Sequence, residues 1–340
     1  MTEYRLRSCV WELTLACPFR CRHCGSRAGT ARENELTTEE CLSVAKQLAE
    51  AGCERVSLIG GEVFLREDWD IIARALTVEG IRVSVITNGF RMTDEILSRL
   101  RAVRIRSVAV SVDGPEQIHD RYRQPGSFTR CRDTVAKLIR SGIPAAVITT
   151  LNEESAAHLT ELYTCLRTWK LSGWQLQACS PMGNASEGAG WMFDFGAVLS
   201  FVAETAPTAP FPMGVADNIG YFTDDEGILR GDLNGDGFFP GCSAGISSIG
   251  IDSVGNVRGC ESMYDERFIE GNLRKKSLRS IWEADGAFAY NRDFTEELLT
   301  GNCRGCPYGS FCGGGCRSYN WFTHKKLYES PACARLHRIE

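Results

Sequence analysis

The chain has 340 residues and a net charge of −5 at neutral pH, with 43% hydrophobic and 24% charged residues. This balance is typical of a soluble globular protein with a full core, and the acidic charge excludes the basic surface of a nucleic-acid-binding protein. No apolar run approaches the ~20 residues of a membrane helix, and the first residues lack the layout of a signal peptide. The sequence therefore predicts a cytoplasmic protein with no nucleic-acid or membrane partner.

Strand-like and helix-like segments alternate through the first 200 residues or so. Six apolar strands are predicted, at 5–15, 55–61, 81–89, 105–114, 143–152 and 173–183. Helices are predicted between them, and Thr37 with Glu40 fits a capping box at the start of the first. This alternation is typical of a parallel sheet covered by helices. A closed eight-stranded barrel needs ~250 residues, so we expect an open, partial (β/α)6 barrel of the TIM type.

The alternation ends near residue 205. The proline-rich stretch 206–214 predicts a linker or an irregular crossing segment. Further on, Gly255-Asn256 predicts a hairpin turn, and Ser277 predicts the start of a short helix. We therefore expect a partial barrel over 1–210, a linker or bridging segment over 211–240, and a small cysteine-rich domain over 241–340.

The 16 cysteines are the most informative part of the composition. Clustered cysteines in a cytosolic protein indicate metal ligands or catalytic groups, because disulfides are rare there. Cys17, Cys21 and Cys24 have the spacing Cys-x3-Cys-x2-Cys directly after the first predicted strand. Three thiolates can hold one metal centre, but a structural zinc site needs a fourth ligand, and His23 between two of the thiols is poorly placed for it.

This spacing and its place after the first strand resemble the radical S-adenosylmethionine (SAM) superfamily. The resemblance implies a [4Fe–4S] cluster whose open iron binds SAM and whose electron cleaves it to a 5′-deoxyadenosyl radical. The family's GGE motif, which binds the amino group of SAM, matches Gly60 to Glu62, although Val63 stands where proline is common. Arg123 is a candidate partner of the SAM carboxylate. By resemblance, the cofactor-binding residues are Gly60, Gly61, Glu62, Asn88, Ser111, Asp113 and Arg123.

A second cysteine constellation resembles the SPASM extension of the same superfamily, which carries two auxiliary [4Fe–4S] clusters. A zinc ribbon would explain Cys303 and Cys306 alone. The resemblance implies an outer cluster held by Cys303, Cys306, Cys312 and Cys333, and an inner cluster held by Cys242, Cys260 and Cys316. With the first site this makes three [4Fe–4S] clusters. Complete relatives supply an eighth cysteine that is absent here, so Asp236, substrate or water would complete the inner cluster.

Glu261 directly follows Cys260, where sulfatase-maturing relatives place an aspartate near the substrate. It is a candidate base for the proton released when a substrate radical is oxidised, and a surface glutamate is the alternative.

The resemblance implies oxidative modification of a ribosomally made precursor peptide: a crosslink, a thioether or an oxidised side chain. An external donor such as flavodoxin or ferredoxin would supply electrons. Only 16 residues precede Cys17, so leader recognition would need a separate peptide-recognition protein or the catalytic body itself. The alternatives are a small-molecule radical dehydrogenase of an aminosugar-type alcohol and a non-catalytic iron–sulfur electron carrier, which would not need a GGE motif.

Overall fold

The computed structural model describes residues 4–234 and 238–336. Within these ranges the chain forms one sheet of ten strands. Its strands are β1 (Ser8–Glu12), β2 (Arg55–Ile59), β3 (Arg82–Thr87), β4 (Ser107–Ser111), β5 (Ala145–Leu151), β6 (Gly173–Ala178), β7 (Met213–Val215), β8 (Ser248–Ile251), β9 (Asn256–Arg258) and β10 (Gly271–Asn272). Their order across the sheet is β10-β9-β8-β1-β2-β3-β4-β5-β6-β7.

Helices follow most of the parallel strands and cover the sheet. They are α1 (Thr38–Glu50), α2 (Trp69–Val78), α3 (Asp94–Val103), α4 (Glu116–Tyr122), α5 (Ser127–Arg140), α6 (Glu153–Ala157), α7 (Leu159–Leu166), α8 (Phe195–Thr205), α9 (Glu226–Asn234), α10 (Leu278–Trp282), α11 (Ala289–Arg292), α12 (Gly309–Cys312) and α13 (Arg317–His324). The predicted capping box starts α1, with the Glu40 N–H donating to Thr37 Oγ1 at 3.3 Å and the Thr37 N–H donating to Glu40 Oε2 at 2.8 Å. In the described part of the chain, no helix is both long and apolar enough to cross a lipid bilayer.

The six predicted strands are confirmed, and each pairs in parallel with its neighbour from β1 to β6. Alternate residues of these strands point to opposite faces. Val56, Leu58, Val108 and Val110 are almost fully buried in the main core. Their neighbours in the same strands, such as Ser57 and Ser111, line a cavity instead. The predicted fold class, a partial TIM-like barrel with a cysteine-rich C-terminal domain, is therefore confirmed.

Two parts of the fold differ from the expectation. The segment 211–240 is not irregular throughout, because β7 pairs in parallel with β6 and α9 packs against β7. A three-residue strand next to prolines is too short for alternation to reveal it. On the other side, β8 pairs in parallel with β1, so the sheet continues into the cysteine-rich region. The division into domains at 210 and 240 stays a prediction.

Candidate active site

The carboxyl ends of the parallel strands surround a cavity of about 480 Å³. The three cysteines that follow β1 line it, and so do Gly60 and Gly61 after β2. The same cavity is lined by Cys260, Glu261 and Ser262, which follow β9. The fold thus brings the two sequence-distant cysteine regions to one cavity.

A short closed loop carries the first cysteines. The Cys17 N–H donates to the Gly29 carbonyl and the Gly29 N–H donates to the Leu15 carbonyl, both at 2.9 Å. Two further donors point at thiols: Asn88 Nδ2 lies 3.4 Å from Cys17 Sγ, and the Ala28 N–H lies 3.3 Å from Cys24 Sγ. These donors would stabilise thiolates in the loop.

The thiols in this loop fit an iron–sulfur cluster by their electrostatics. Burial raises the pKa of Cys21 to about 11, and the charges of Cys24 and Cys17 add to the shift. The pKa of Cys17 is raised by burial, with contributions from Glu62 and Cys24. A bound cationic centre removes this mutual repulsion and deprotonates its ligands. The donor set is therefore suited to a metal cluster facing the cavity.

Gly60 and Gly61 allow the turn after β2 to lie directly on the cysteine loop. The Gly61 N–H donates to the Thr14 carbonyl at 2.8 Å, and the Glu62 N–H donates to the Ala16 carbonyl at 2.7 Å. A Cβ on Gly60 would lie 2.7 Å from the Thr14 carbonyl oxygen, and a Cβ on Gly61 would overlap the Ala16 carbonyl. Any side chain at these positions would push the cysteine loop away.

Glu62 lies behind the cavity wall rather than on it. It is 1% exposed, and its carboxylate accepts hydrogen bonds from Thr87 Oγ1 at 2.8 Å and from the Asn88 N–H at 2.9 Å. Burial raises the pKa of Glu62, and these hydrogen bonds oppose the shift. Glu62 therefore ties the end of β3 to the turn after β2 and holds Asn88 next to Cys17.

Asp113 organises a buried cluster of charged groups below the cavity. It is 1% exposed, and its Oδ2 accepts from Arg123 Nε and lies 3.1 Å from His23 Nε2. Its Oδ1 accepts from the Thr150 N–H at 2.9 Å. Burial alone would raise the pKa of Asp113, but Arg123 and His23 hold it well below its usual range. Arg123, His23 and Ser111 line the cavity, and the ionised Asp113 positions the first two.

Glu261 lines the same cavity. Burial raises its pKa to about 8, and the charge of Glu12 adds to the shift while Arg258 opposes it. The turn that carries Glu261 packs on β8, where a Cβ on Gly250 would overlap its backbone nitrogen. The protein thus holds a carboxyl group with a raised pKa directly after Cys260.

The seven cysteines from Cys242 to Cys333 form two groups. One group lines a second pocket, of about 280 Å³: Cys303, Cys306, Cys312 and Cys333. Burial raises the pKa of Cys316, and the charges of Cys242 and Cys260 add to the shift, so these three thiols lie near one another. The structure therefore brings together the members of each predicted auxiliary set.

Asp236, the candidate fourth ligand of the inner set, lies outside the described residues. In residues 4–234 and 238–336, no group of three or more His, Cys, Asp or Glu side chains is spaced to hold a single metal ion. A cubane cluster differs from such a site, because each cysteine binds its own iron atom.

The sequence interpretation missed several cavity residues. Gln175 and Gln177 line the cavity from β6, and Asn218 lines it after β7. The side-chain amide of Asn218 pairs with the backbone of Ala178 as a neighbouring strand would. The Ala178 N–H donates to Asn218 Oδ1 at 3.0 Å, and Asn218 Nδ2 donates to the Ala178 carbonyl at 2.8 Å. The alternation in Trp-Gln-Leu-Gln could have revealed the two glutamines as one face of β6, but no local signal marks Asn218.

Comparisons with known proteins agree with this geometry. Residues 11–166 match the radical SAM superfamily, and residues 242–307 match the iron–sulfur cluster-binding domain called SPASM. An AdoMet-dependent heme synthase of Methanosarcina barkeri is 29% identical over 340 residues, with 96% of both chains covered. The mycofactocin maturase MftC of Mycolicibacterium smegmatis is 27% identical over 92% of this chain and 79% of its own.

Among solved structures, Streptococcus suis SuiB bound to SAM has a TM-score of 0.77 at 16% identity. The match covers 96% of this chain and 76% of SuiB. At this identity the likeness shows a shared fold.

Proposed function

The chain belongs to the radical SAM superfamily and carries a SPASM domain, and from this premise we propose that it oxidatively modifies a ribosomally made precursor peptide. The observation that carries the proposal is the shared cavity, where the first three cysteines and the Cys260–Glu261 turn meet. The first three cysteines would hold the cluster that binds SAM. Cys260 would belong to an oxidising cluster, with Glu261 beside it as a base. Both sites would then face the same group of the substrate. An electron carrier would need no such cavity.

When bound, the first cluster and SAM supply the radical that removes a hydrogen atom from an unreactive C–H bond. The protein's own part is to bind and orient. Gly60 and Gly61 bring the backbone against the cysteine loop, and Glu62 holds Asn88 beside Cys17. Arg123, fixed by Asp113, lines the cavity as a cation for the SAM carboxylate. Glu261 accepts the proton that leaves when the substrate is oxidised.

Three [4Fe–4S] clusters follow from the three cysteine groups. Cys17, Cys21 and Cys24 hold the SAM cluster. The four thiols of the second pocket hold the outer auxiliary cluster. Cys242, Cys260 and Cys316 hold the inner one, which lies closer to the substrate because Cys260 lines the reaction cavity. An external low-potential donor, a flavodoxin or ferredoxin, supplies electrons to them.

Two findings support a peptide substrate. The structure of SuiB with its precursor peptide SuiA has a TM-score of 0.76 to this chain, and several curated relatives are maturases. A cavity of about 480 Å³ that also holds SAM leaves room for one side chain of a substrate. A peptide can present such a side chain while its backbone stays outside. The leader of the peptide would be bound by a separate protein or by the catalytic body itself.

A tetrapyrrole is the second candidate substrate, because the heme synthase matches over nearly the whole of both chains. The carboxylates of such a substrate need free cationic partners. Among the described residues that line the cavity, Arg123 is the one arginine or lysine, and the carboxylate of SAM already occupies it in this proposal. This favours the peptide.

Mass spectrometry after anaerobic co-expression with the small peptides encoded beside the gene tests the proposal. We expect the mass of one peptide to fall by two hydrogen atoms. The mass of this peptide should stay unchanged when Cys17, Cys21 and Cys24 of the enzyme are replaced by alanine. SAM cleavage with every peptide unmodified would contradict a peptide substrate. Tetrapyrroles with carboxylate side chains and aminosugars, supplied in parallel, would then identify the small-molecule alternatives.

A further inference from the structure

A tyrosine beside the inner cysteine group has a buried hydroxyl whose proton has no acceptor among the described residues. Tyr290 lies in α11, and its ring packs edge-to-face on Phe268 with the ring centroids 5.3 Å apart. Phe268 belongs to a small buried core against which Cys242 and Cys260 also pack. The same core therefore holds Tyr290 and two of the three inner cysteines.

The hydroxyl itself lies against the backbone that leads into Cys260. A Cβ on Gly259 would overlap Tyr290 Oη, so only glycine leaves room for the hydroxyl there. Tyr290 Oη is closed to solvent, its oxygen faces the Gly259 N–H, and its O–H proton has no acceptor among the residues in the described ranges. Leaving a buried donor without an acceptor is unfavourable, and a hydrogen-bond acceptor that is not part of the polypeptide would offset that cost.

The charges around the hydroxyl point to that acceptor. Burial raises the pKa of Tyr290, and Cys242 is the largest charge that adds to the shift, followed by Glu270 and Cys260. The phenol is thus within electrostatic reach of two thiols of the inner group. A phenol O–H is a donor, and the sulfurs of an iron–sulfur cluster and its ligands accept such bonds.

We propose that Tyr290 donates a hydrogen bond to a sulfur of the inner cluster or of its ligands, and that this bond raises the reduction potential of that cluster. The proposal rests on the proposed function in one respect, that Cys242, Cys260 and Cys316 hold a cluster. A donor at sulfur stabilises the added negative charge of the reduced state. A higher potential makes the inner cluster a better acceptor for the electron of a substrate radical. Tyr290 is accordingly a tuning residue and not a ligand.

The test is Tyr290→Phe, which keeps the ring and its packing on Phe268 and removes only the hydroxyl. The full chain is reconstituted anaerobically, and reduction potentials are measured by redox titration followed by electron paramagnetic resonance. The signal of the inner cluster is identified as the one lost in Cys242→Ala. We expect an unchanged iron content, a more negative potential for that signal, and unchanged potentials for the other clusters.

Tyr328→Phe is the matched control, because its hydroxyl donates to the Tyr290 carbonyl at 3.0 Å instead of facing the thiols. It should leave the potential of the inner cluster at its wild-type value. Equal potentials in the wild type and Tyr290→Phe would overturn the proposal. So would a loss of iron in Tyr290→Phe with loss of a phenolate-to-iron absorption band, because Tyr290 would then be a ligand. If Cys242→Ala removes no signal and no iron, the cluster assignment itself is wrong, whatever Tyr290→Phe shows.

Discussion

Asp113 is a buried carboxylate that is not among the residues lining the cavity, yet it fixes two side chains that line it. Its Oδ2 holds both Arg123 and His23, and its Oδ1 is held in turn by the Thr150 N–H. Removing a buried charge partner leaves the other charge uncompensated, which is costly in a site of low dielectric. Asp113 therefore determines the position of the Arg123 guanidinium in the cavity.

Asp113→Asn should weaken the binding of SAM. The amide keeps the shape and can still accept from Thr150, but it no longer balances Arg123. We expect an affinity loss of about 10–100-fold, the range typical of a lost outer partner of a binding group. Equilibrium binding of SAM to the reconstituted enzyme measures it. Asp133→Asn, at a side chain that is 64% exposed, is the control, and an unchanged affinity in Asp113→Asn would contradict this role.

Glu261→Gln separates SAM cleavage from product formation. The variant should keep its cluster content and its formation of 5′-deoxyadenosine, because neither step needs a base at Glu261. Product should fall by about 10²–10⁴-fold, as is typical for a lost general base. Both products are measured in parallel once the substrate is known. Equal product yields from the wild type and the variant would place Glu261 outside the chemistry.

The grouping of the cysteines could be predicted from the sequence because their spacing is local and specific. The position of Glu62 behind the wall could not, because its partner Thr87 lies 25 residues away on the next strand. The same holds for Tyr290, whose significance comes from its contact with Gly259 in a distant turn. Such roles depend on long-range packing, which leaves no pattern along the chain.

At the level of elements, Arg32 connects the cysteine loop to the hairpin that leads to Cys260. Its guanidinium donates to Glu12 at the end of β1, to Ser253 in the β8–β9 turn and to Tyr264 beyond Cys260. Glu12 also accepts from the Ser253 N–H at 3.2 Å and from Tyr264 Oη at 3.3 Å. One side chain thus joins three segments that carry the two cysteine regions.

Arg32→Met should weaken the packing of the segment around Arg32 and of the segment from Ser253 to Tyr264 at the same time. The methionine keeps much of the length of the side chain and loses every donor, so we expect faster amide hydrogen exchange in 28–36 and also in 252–264. Hydrogen-exchange mass spectrometry resolves the two segments. Arg279→Met is the control, since Arg279 pairs with Glu283 on the surface and contacts neither segment. Faster exchange confined to the residues around Arg32 would contradict the connection.

Elements β1 to β6 could be predicted because each has apolar residues bounded by turn residues, and helices separate them. Strand β7 could not, since three buried residues after prolines carry no alternation. The pairing of β8 with β1 joins Ser8 to Ser248 and could not be predicted either. Such pairing depends on which edge of the sheet is free, a property of the folded barrel and not of the local sequence.

Across the whole molecule, the ten cysteines proposed as ligands form three groups, which supports three clusters. After anaerobic reconstitution we expect about 12 iron atoms and as many sulfides in each chain. Colorimetric iron and sulfide analysis measures this, with Cys303→Ala and Cys306→Ala as variants that lower the count by one cluster. A count near four iron atoms together with bound zinc would contradict the auxiliary assignment.

The thiols of Cys17, Cys21 and Cys24 are expected to hold the centre at which SAM is cleaved, and replacing all three by alanine tests this most directly. The measurement is the amount of 5′-deoxyadenosine formed from SAM under strong reductant, with Cys9→Ala, at a buried core thiol, as the control. We expect no 5′-deoxyadenosine above background from the triple variant, while the control keeps wild-type cleavage. Cleavage retained by the triple variant would contradict a radical SAM mechanism at this cavity.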